Sequence, residues 1–301
     1  MKRRDFIQKT ALTSVMAGVP SFPLMSLGTD KTKHITILHT NDTHSHIDPF
    51  DASHPRNPNM GGVSRRATLV EQIRKENPNT LLLDAGDIFQ GTPYFNYYGG
   101  ELEFKLMSMM KYDASTIGNH EFDNGLEGIL APLPYADFDF ISSNYDFANT
   151  ILDGYTKKHK IFNVDGIKIG VFGLGIELKG LVSKDNYKET QYLDPIEITQ
   201  DMTRILKKEK KCDLVICLSH LGYKYNSNKI SDLTLALKTK DIDLIIGGHT
   251  HTFLDKPTIA NNIEGKSVIV NQVGCFGINL GRIDFYFEPS KTISNGRSIE
   301  I

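Results

Sequence analysis

The chain has 301 residues, a formal net charge of −2, and 40% apolar and 23% charged side chains. A near-neutral charge excludes a binding mode that neutralises many phosphates of a nucleic-acid polymer, and an ordinary globular composition excludes extended disorder. Past residue 30 there is no run of about 18 apolar residues, so no internal membrane span is expected.

Residues 1–28 read as an export signal. Lys2, Arg3 and Arg4 precede Asp5, Phe6 and Ile7, a mildly apolar stretch runs from Ala11 to Leu27, and Ser26, Leu27 and Gly28 offer a small, any, small cleavage pattern. The paired arginines are similar to those of a twin-arginine signal, and Gly18, Pro20 and Pro23 weaken the stretch as a lasting anchor. The expected destination is the periplasm or the extracellular space.

Downstream, short runs rich in Val, Ile and Leu predict buried strands at Ile35–Leu38, Thr80–Leu83, Ala114–Ile117, Asp139–Ser142, Lys168–Leu174, Asp213–Leu218 and Ile242–Ile246. Helices fall between them. Val63, Ala67, Val70 and Ile73 recur at helical spacing, as do Leu102, Leu106 and Met109. A third helix carries its own punctuation, with Asp194 as N-cap, Pro195 at the first position and Glu197 three residues after the cap. Two more strands are expected at Ser267–Gln272 and Gly281–Phe287, and residues 289–301 read as a loosely held polar tail. The alternation indicates a layered α/β arrangement in one domain over residues 33–288. The three cysteines, Cys212, Cys217 and Cys275, have no framework spacing and read as buried small hydrophobes, with Cys212 and Cys217 on opposite faces of a strand.

Polar clusters follow five of these strands within a few residues: Asp42 and His44, Asp84 and Asp87, Asn119 and His120, His220, and His249 and His251. Ligands in open sheets gather beyond the carboxyl ends of strands, so the clusters would meet at one edge. Carboxylates, one amide and imidazoles without thiolate suit a hard-to-borderline divalent metal. Singly, Asp42 and Asp87 also read as turn or cap aspartates, Asn119 beside Gly118 as a turn residue, and His220 as a core histidine. His249 and His251, two apart after Gly247 and Gly248, have no such plain reading, and the five clusters together point to metal chemistry.

The run from Ile35 to Ile47, which contains Asn41, Asp42, Thr43 and His44, and the run from Tyr112 to Asp123, which ends in Gly, Asn, His, Glu, Phe, Asp, resemble the two signatures of the secreted 5'-nucleotidases, a branch of the calcineurin-like metallophosphoesterases. The resemblance extends from about Lys33 to Phe287. It implies an α+β fold, an α/β/β/α four-layer sandwich of two facing mixed sheets flanked by helices. It also implies two divalent metal ions (Zn, Mn, Fe or Co), one held by Asp42, His44 and His251 and the other by Asn119, His220 and His249, with Asp87 bridging them. His120 then faces the substrate, with Asp123 as its partner or as a loop cap, and water activated at the metals attacks phosphorus in line. Glu121 is expected to orient a ligand histidine, His39 to pack inside the fold, Asp84 to support a strand end, and Arg65 and Arg66 to lie on a solvated helix face.

Full-length members of that family carry a second, nucleoside-binding domain, whereas this sequence stops at Ile301. The expected substrate is a small phosphoester, a nucleoside 5'-monophosphate or a related cyclic nucleotide, with a separately encoded partner supplying the substrate pocket. Two other readings stand beside it: a non-catalytic or weakly active metal-domain subunit, and a sulfur-ester hydrolase on the same fold.

Overall fold

The computed structural model describes residues 32–301, so the export signal expected over 1–28 lies outside the described residues. Strands β1 (Lys33–Thr40), β2 (Thr80–Asp84), β3 (Ala114–Ser115) and β4 (Asp139–Phe140) run parallel in one sheet. A short pair, β5 (Tyr145–Asp146) with β8 (Gln191–Tyr192), lies apart from the two large sheets. The second sheet contains β6 (His159–Val164), β7 (Ile167–Leu174), β9 (Leu214–Ser219), β10 (Leu244–Gly247), β11 (Thr258–Asn261) and β12 (Ser267–Asn271), in the order β11-β12-β10-β9-β7-β6. Strand β13 (Asn279–Glu288) returns antiparallel to β1 and completes the first sheet with β14 (Lys291–Glu300).

Strand alternation sets the layers. Ile35 and Ile37 of β1 and Leu81 and Leu83 of β2 share one buried cluster with Ile169 and Val171 of β7 and Leu214, Ile216 and Leu218 of β9, so the two sheets face each other across it. Leu38 and Leu82 point the other way. They meet α1 (Val63–Glu76), α2 (Pro93–Tyr98), α3 (Glu101–Met109) and α4 (Gly125–Leu130) through Val70, Phe95, Phe104 and Leu126. Beyond a short turn, α5 (Lys184–Tyr187), the opposite outer layer is made by α6 (Pro195–Thr203) and α7 (Asp232–Lys238). Met202 and Leu235 of these helices cover Val215 and Cys217. The molecule is the four-layer α/β/β/α sandwich with two mixed sheets.

Several local expectations change. The α3 face is turned: Glu103, Phe104 and Met107 are buried and Met109 is 78% exposed. Phe104 stacks on Phe89 at 5.1 Å and packs at a tilt against Phe140 at 5.1 Å, and burying this large ring outweighs burying Leu102 and Met109. Residues 289–301 are not a loose tail. β14 pairs with β13 along ten residues, the Ile301 N–H donates to Ile278 O, and the Gly61 N–H donates to Ile301 O, so the domain runs to the last residue. Arg66 is buried, while Arg65 stays exposed. Cys212 precedes β9 rather than lying in it, so strand alternation does not apply, and it joins Cys217 in one cluster with both thiols free.

Strand β6 carried a readable signal. Asp165 and Gly166 form a two-residue loop with φ of 52° and 76°, the backbone of a type I′ hairpin turn for which Asp-Gly is favoured. The α6 cap is as expected: an Asp194 carboxylate oxygen accepts the N–H groups of Ile196 and Glu197.

Candidate metal centre

Because β1, β2 and β3 are parallel in one sheet and β9 and β10 are parallel in the other, their carboxyl ends bring all five polar clusters together. Two groups of ligand atoms result: Asp42, His44 and His251, and Asp87, His220 and His249. Nε2 of His251 is 3.3 Å from Asp42 Oδ1, and the Nε2 atoms of His44 and His251 converge to 2.9 Å. In the second group His220 Nε2 lies 2.9 Å from Asp87 Oδ2, and His249 Nδ1 lies 2.8 Å from Asn119 Oδ1, which adds the expected amide oxygen. Asp87 Oδ2 is also 4.0 Å from His44 Nε2, and Asp42 Oδ1 is 3.9 Å from His220 Nε2, so both carboxylates stand between the groups.

The backbone is bent to achieve this. Asp42, His44, Asp87, His249 and His251 all have φ between 46° and 71°, a region that non-glycine residues occupy rarely and that concentrates at functional sites. Gly118 is required by close approach: a Cβ there would lie 2.2 Å from Asp87 Oδ1.

Hydrogen bonds orient the ligands. His44 Nδ1 meets Phe89 O at 2.9 Å and His220 Nδ1 meets Ala85 O at 2.7 Å; a proton on each Nδ1 leaves Nε2 free as a donor atom to a cation. Asp42 accepts the His249 N–H and the Asn41 amide, and Asp87 Oδ1 accepts the His120 N–H at 2.8 Å. Burial lowers His249 to about 4 and draws His44 down as well, keeping their lone pairs available. Burial also acts to lower His220, but Asp87 outweighs it and holds the group up at about 10.

These residues fit a pair of divalent cations. His220 Nε2 and Asp87 Oδ2 crowd to 2.9 Å where both side chains are buried, and the surrounding groups that could bind a cation are carboxylate and amide oxygens and imidazole nitrogens.

His120 stands at the rim, its ring edge-on to His44 with centroids 5.2 Å apart. Asp123 carboxylate oxygens lie 3.0 and 3.1 Å from its Nδ1. Burial acts to lower His120, but the Asp123 hydrogen bond and the Asp87 charge raise it above its ordinary value.

Glu121 does not touch a ligand histidine. Its fully buried carboxylate accepts the N–H groups of Gly118, Asp87, Ile88 and Phe89, so it locks the backbones of two site loops together. Burial, then the Asp87 charge, pushes its carboxyl up, and the Gly118 and Asp87 N–H groups act against the shift. Asp84 accepts from Thr40, Gly86 and Ser115 and so ties three strand ends. His39 bonds Asn271 at 2.8 Å between the sheets, and burial drops it to about 3.

Other participants escaped the sequence. Phe276 donates its N–H to Asp42 O at 2.7 Å and packs its ring 5.9 Å from His44 and 6.0 Å from His251. Asp232, fully buried behind the His220 strand end, accepts from Ser219 at 2.5 Å, and burial pushes it up to about 8. No local pattern marks either. Asn41 adjoins a ligand in the first signature, and there its neighbourhood was the signal.

The sandwich thus brings two groups of oxygen and imidazole ligands together at the carboxyl ends of its strands. Residues 35–253 match the calcineurin-like phosphoesterase family, and the chain belongs to it. It is 36% identical over 296 residues to a trifunctional nucleotide phosphoesterase protein of Bacillus subtilis (strain 168), covering 88% of this chain and 19% of that protein. It is 33% identical over 287 residues to the snake venom 5'-nucleotidase of Crotalus adamanteus, covering 88% and 47%. The crystal structure of a 5'-nucleotidase precursor from Thermus thermophilus superposes with a TM-score of 0.81 at 32% identity, over 89% of this chain and 55% of that one. The chain thus spans about half or less of the length of these curated relatives. Among the described residues, no helix is long and apolar enough to cross a membrane.

Proposed function

We propose that the chain is an exported, dinuclear phosphoester hydrolase of the 5'-nucleotidase type, acting on nucleoside 5'-monophosphates or related cyclic nucleotides. In this reading Asp42, His44 and His251 would hold one cation and Asn119, His220 and His249 the other, with Asp87 shared between them. One observation carries it: Asp87 Oδ2 lies 2.9 Å from His220 Nε2 in one group and 4.0 Å from His44 Nε2 in the other. When bound, two such cations draw charge from the phosphoryl oxygens and lower the pKa of a water molecule.

The chain's own groups do the rest. Asp123 fixes the Nδ1 side of His120, which leaves Nε2 to face the phosphoryl group. A protonated His120 then stabilises the charge that grows on the phosphoryl oxygens, and it gives its proton to the departing alkoxide. Asp87 Oδ1 holds the His120 N–H and so couples the catalytic turn to the ligand set.

Selectivity beyond the phosphate is proposed to come from polypeptide outside residues 32–301, in the same or a separate chain. Relatives about twice the matched length support this reading. Export is supported by the pattern of residues 1–28, and sequencing the N-terminus of the protein recovered from the periplasm or medium checks it.

The test is hydrolysis of AMP, a 2',3'-cyclic nucleotide and an aryl phosphate with Mn²⁺, Zn²⁺ or Co²⁺ added to stripped protein. Metal-dependent turnover that is abolished by chelator is expected, and His120→Ala should cut it at least 100-fold while retaining the metal. Fast, AMP-selective turnover by residues 32–301 alone would remove the outside polypeptide from the scheme. Metal-independent turnover would overturn the mechanism.

A further inference from the structure

The turn that carries His249 and His251 places both residues at positive φ, 71° and 50°, in a conformation that persists only where the surroundings over-determine it. The two histidines belong to different ligand groups, so the shape of this short turn sets how the groups face each other. The turn's backbone is tied at separate points: the His249 N–H donates to Asp42, the Thr250 N–H bonds Gly248 O at 2.9 Å, and Thr252 O accepts the Gly274 N–H at 2.9 Å.

Among the described residues, Gln272 adds the one side chain that bonds the turn before, between and after the two histidines. It directly follows β12, the strand beside β10, and its side chain is fully buried. Nε2 donates to Gly248 O at 2.6 Å, before the first histidine. Oε1 accepts the Thr250 hydroxyl at 3.1 Å, between the two, and also the Thr252 N–H, after the second. One rigid carboxamide therefore grips the turn on each side of both imidazoles without touching either ring. A buried amide that satisfies three separate points of one turn also makes other paths costly, since each would leave a polar group unpaired.

We propose that Gln272 is the positioning residue for the metal centre: it fixes the path of residues 248–252 so that His249 and His251 present their nitrogens to two cations at once. The proposal rests on the dinuclear reading above. It gives Gln272 no contact with substrate or metal and predicts that its loss is felt first in metal affinity.

The test is calorimetric titration of the metal-stripped full chain with Mn²⁺, alongside the Tm of the stripped protein. Gln272→Met keeps the volume and removes all three bonds. Gln272→Glu keeps both acceptances at Oε1 and, ionised, sets an oxygen against the Gly248 carbonyl; its added negative charge favours a cation, so weaker binding by this variant reads the lost contact and not the charge. Both variants should bind at least one Mn²⁺ about 10-fold or more weakly, the range seen when groups that orient ligands are lost. If Gln272→Met does not fold, Gln272→Glu decides. A purely structural role would lower the Tm of the stripped protein and leave the affinity of the folded fraction unchanged, and that result overturns the proposal. An unaltered chain that binds fewer than two ions sinks the dinuclear reading and the inference with it. Two ions bound equally well by parent and variants sink the inference alone.

Discussion

If Asp123 acts only through His120, removing it should cost nothing once His120 is gone, and a double-mutant cycle measures this directly. The contact is a single hydrogen bond, because both carboxylate oxygens, at 3.0 and 3.1 Å, compete for one Nδ1 proton. A hydrogen bond to a charged group contributes about 1.5–3 kcal/mol. The His120 and Asp123 side chains are 27% and 32% exposed, so solvent reduces this to about 1–2 kcal/mol. Expressed as transition-state stabilisation, that is about a 5- to 30-fold loss in kcat/KM for Asp123→Ala, read in kcat because the ring would lose its orientation rather than its binding. The assay is steady-state hydrolysis of AMP and of an aryl phosphate by both single variants and the double variant, with metal content measured for each. The double variant should match His120→Ala within about twofold. Independent, multiplicative losses would show that Asp123 serves as a loop cap, the other role its position allows, and would break the dyad.

Gly118→Ala should displace Asp87, because the new methyl would fall 2.2 Å from Asp87 Oδ1; elemental analysis should find the metal content reduced by at least one ion per chain. Asp194→Ala removes the acceptor of two N–H groups at the start of α6 and should cost about 1 kcal/mol, a fall in Tm of about 2–4 °C by calorimetry. Asp284 gives a pH signature. Burial acts to raise its carboxyl, but hydrogen bonds from Thr36, Arg282 and His34 outweigh it and hold the group below its ordinary value. A depressed folded pKa means stability that is fully present above the unfolded value of about 3.9 and lost as pH falls through the lower folded value. Asp284→Asn should therefore lower the Tm near pH 7 and flatten its decline below about pH 4 in a thermal series.

Much of the centre was legible because its parts are local. Asp42 and His44, Asn119 and His120, and His249 and His251 each sit within a few residues of a strand end, and short Val/Ile/Leu runs mark those ends. Glu121 was misread for the opposite reason: its four N–H partners come from two loops separated by some thirty residues, and its sequence position says nothing of which backbone it meets. The α3 face turned on Phe104, whose place is decided by Phe89 and Phe140 from other elements. The β14 pairing was hidden because an exposed edge strand buries too few side chains to show alternation, and its stability comes from the ladder to β13.

By itself the sequence determined the type of chemistry, through residue types at strand ends, and the layered fold, through strands and helices in alternation. Only the tertiary structure decided that Asp42, His44, Asp87, His249 and His251 take positive φ, and that Glu121 and Gln272 brace the loops. The physical reason is range. Propensity and periodicity act over a few residues, whereas the centre is assembled from ends of two sheets more than 200 residues apart in the chain, as in the 207 between His44 and His251.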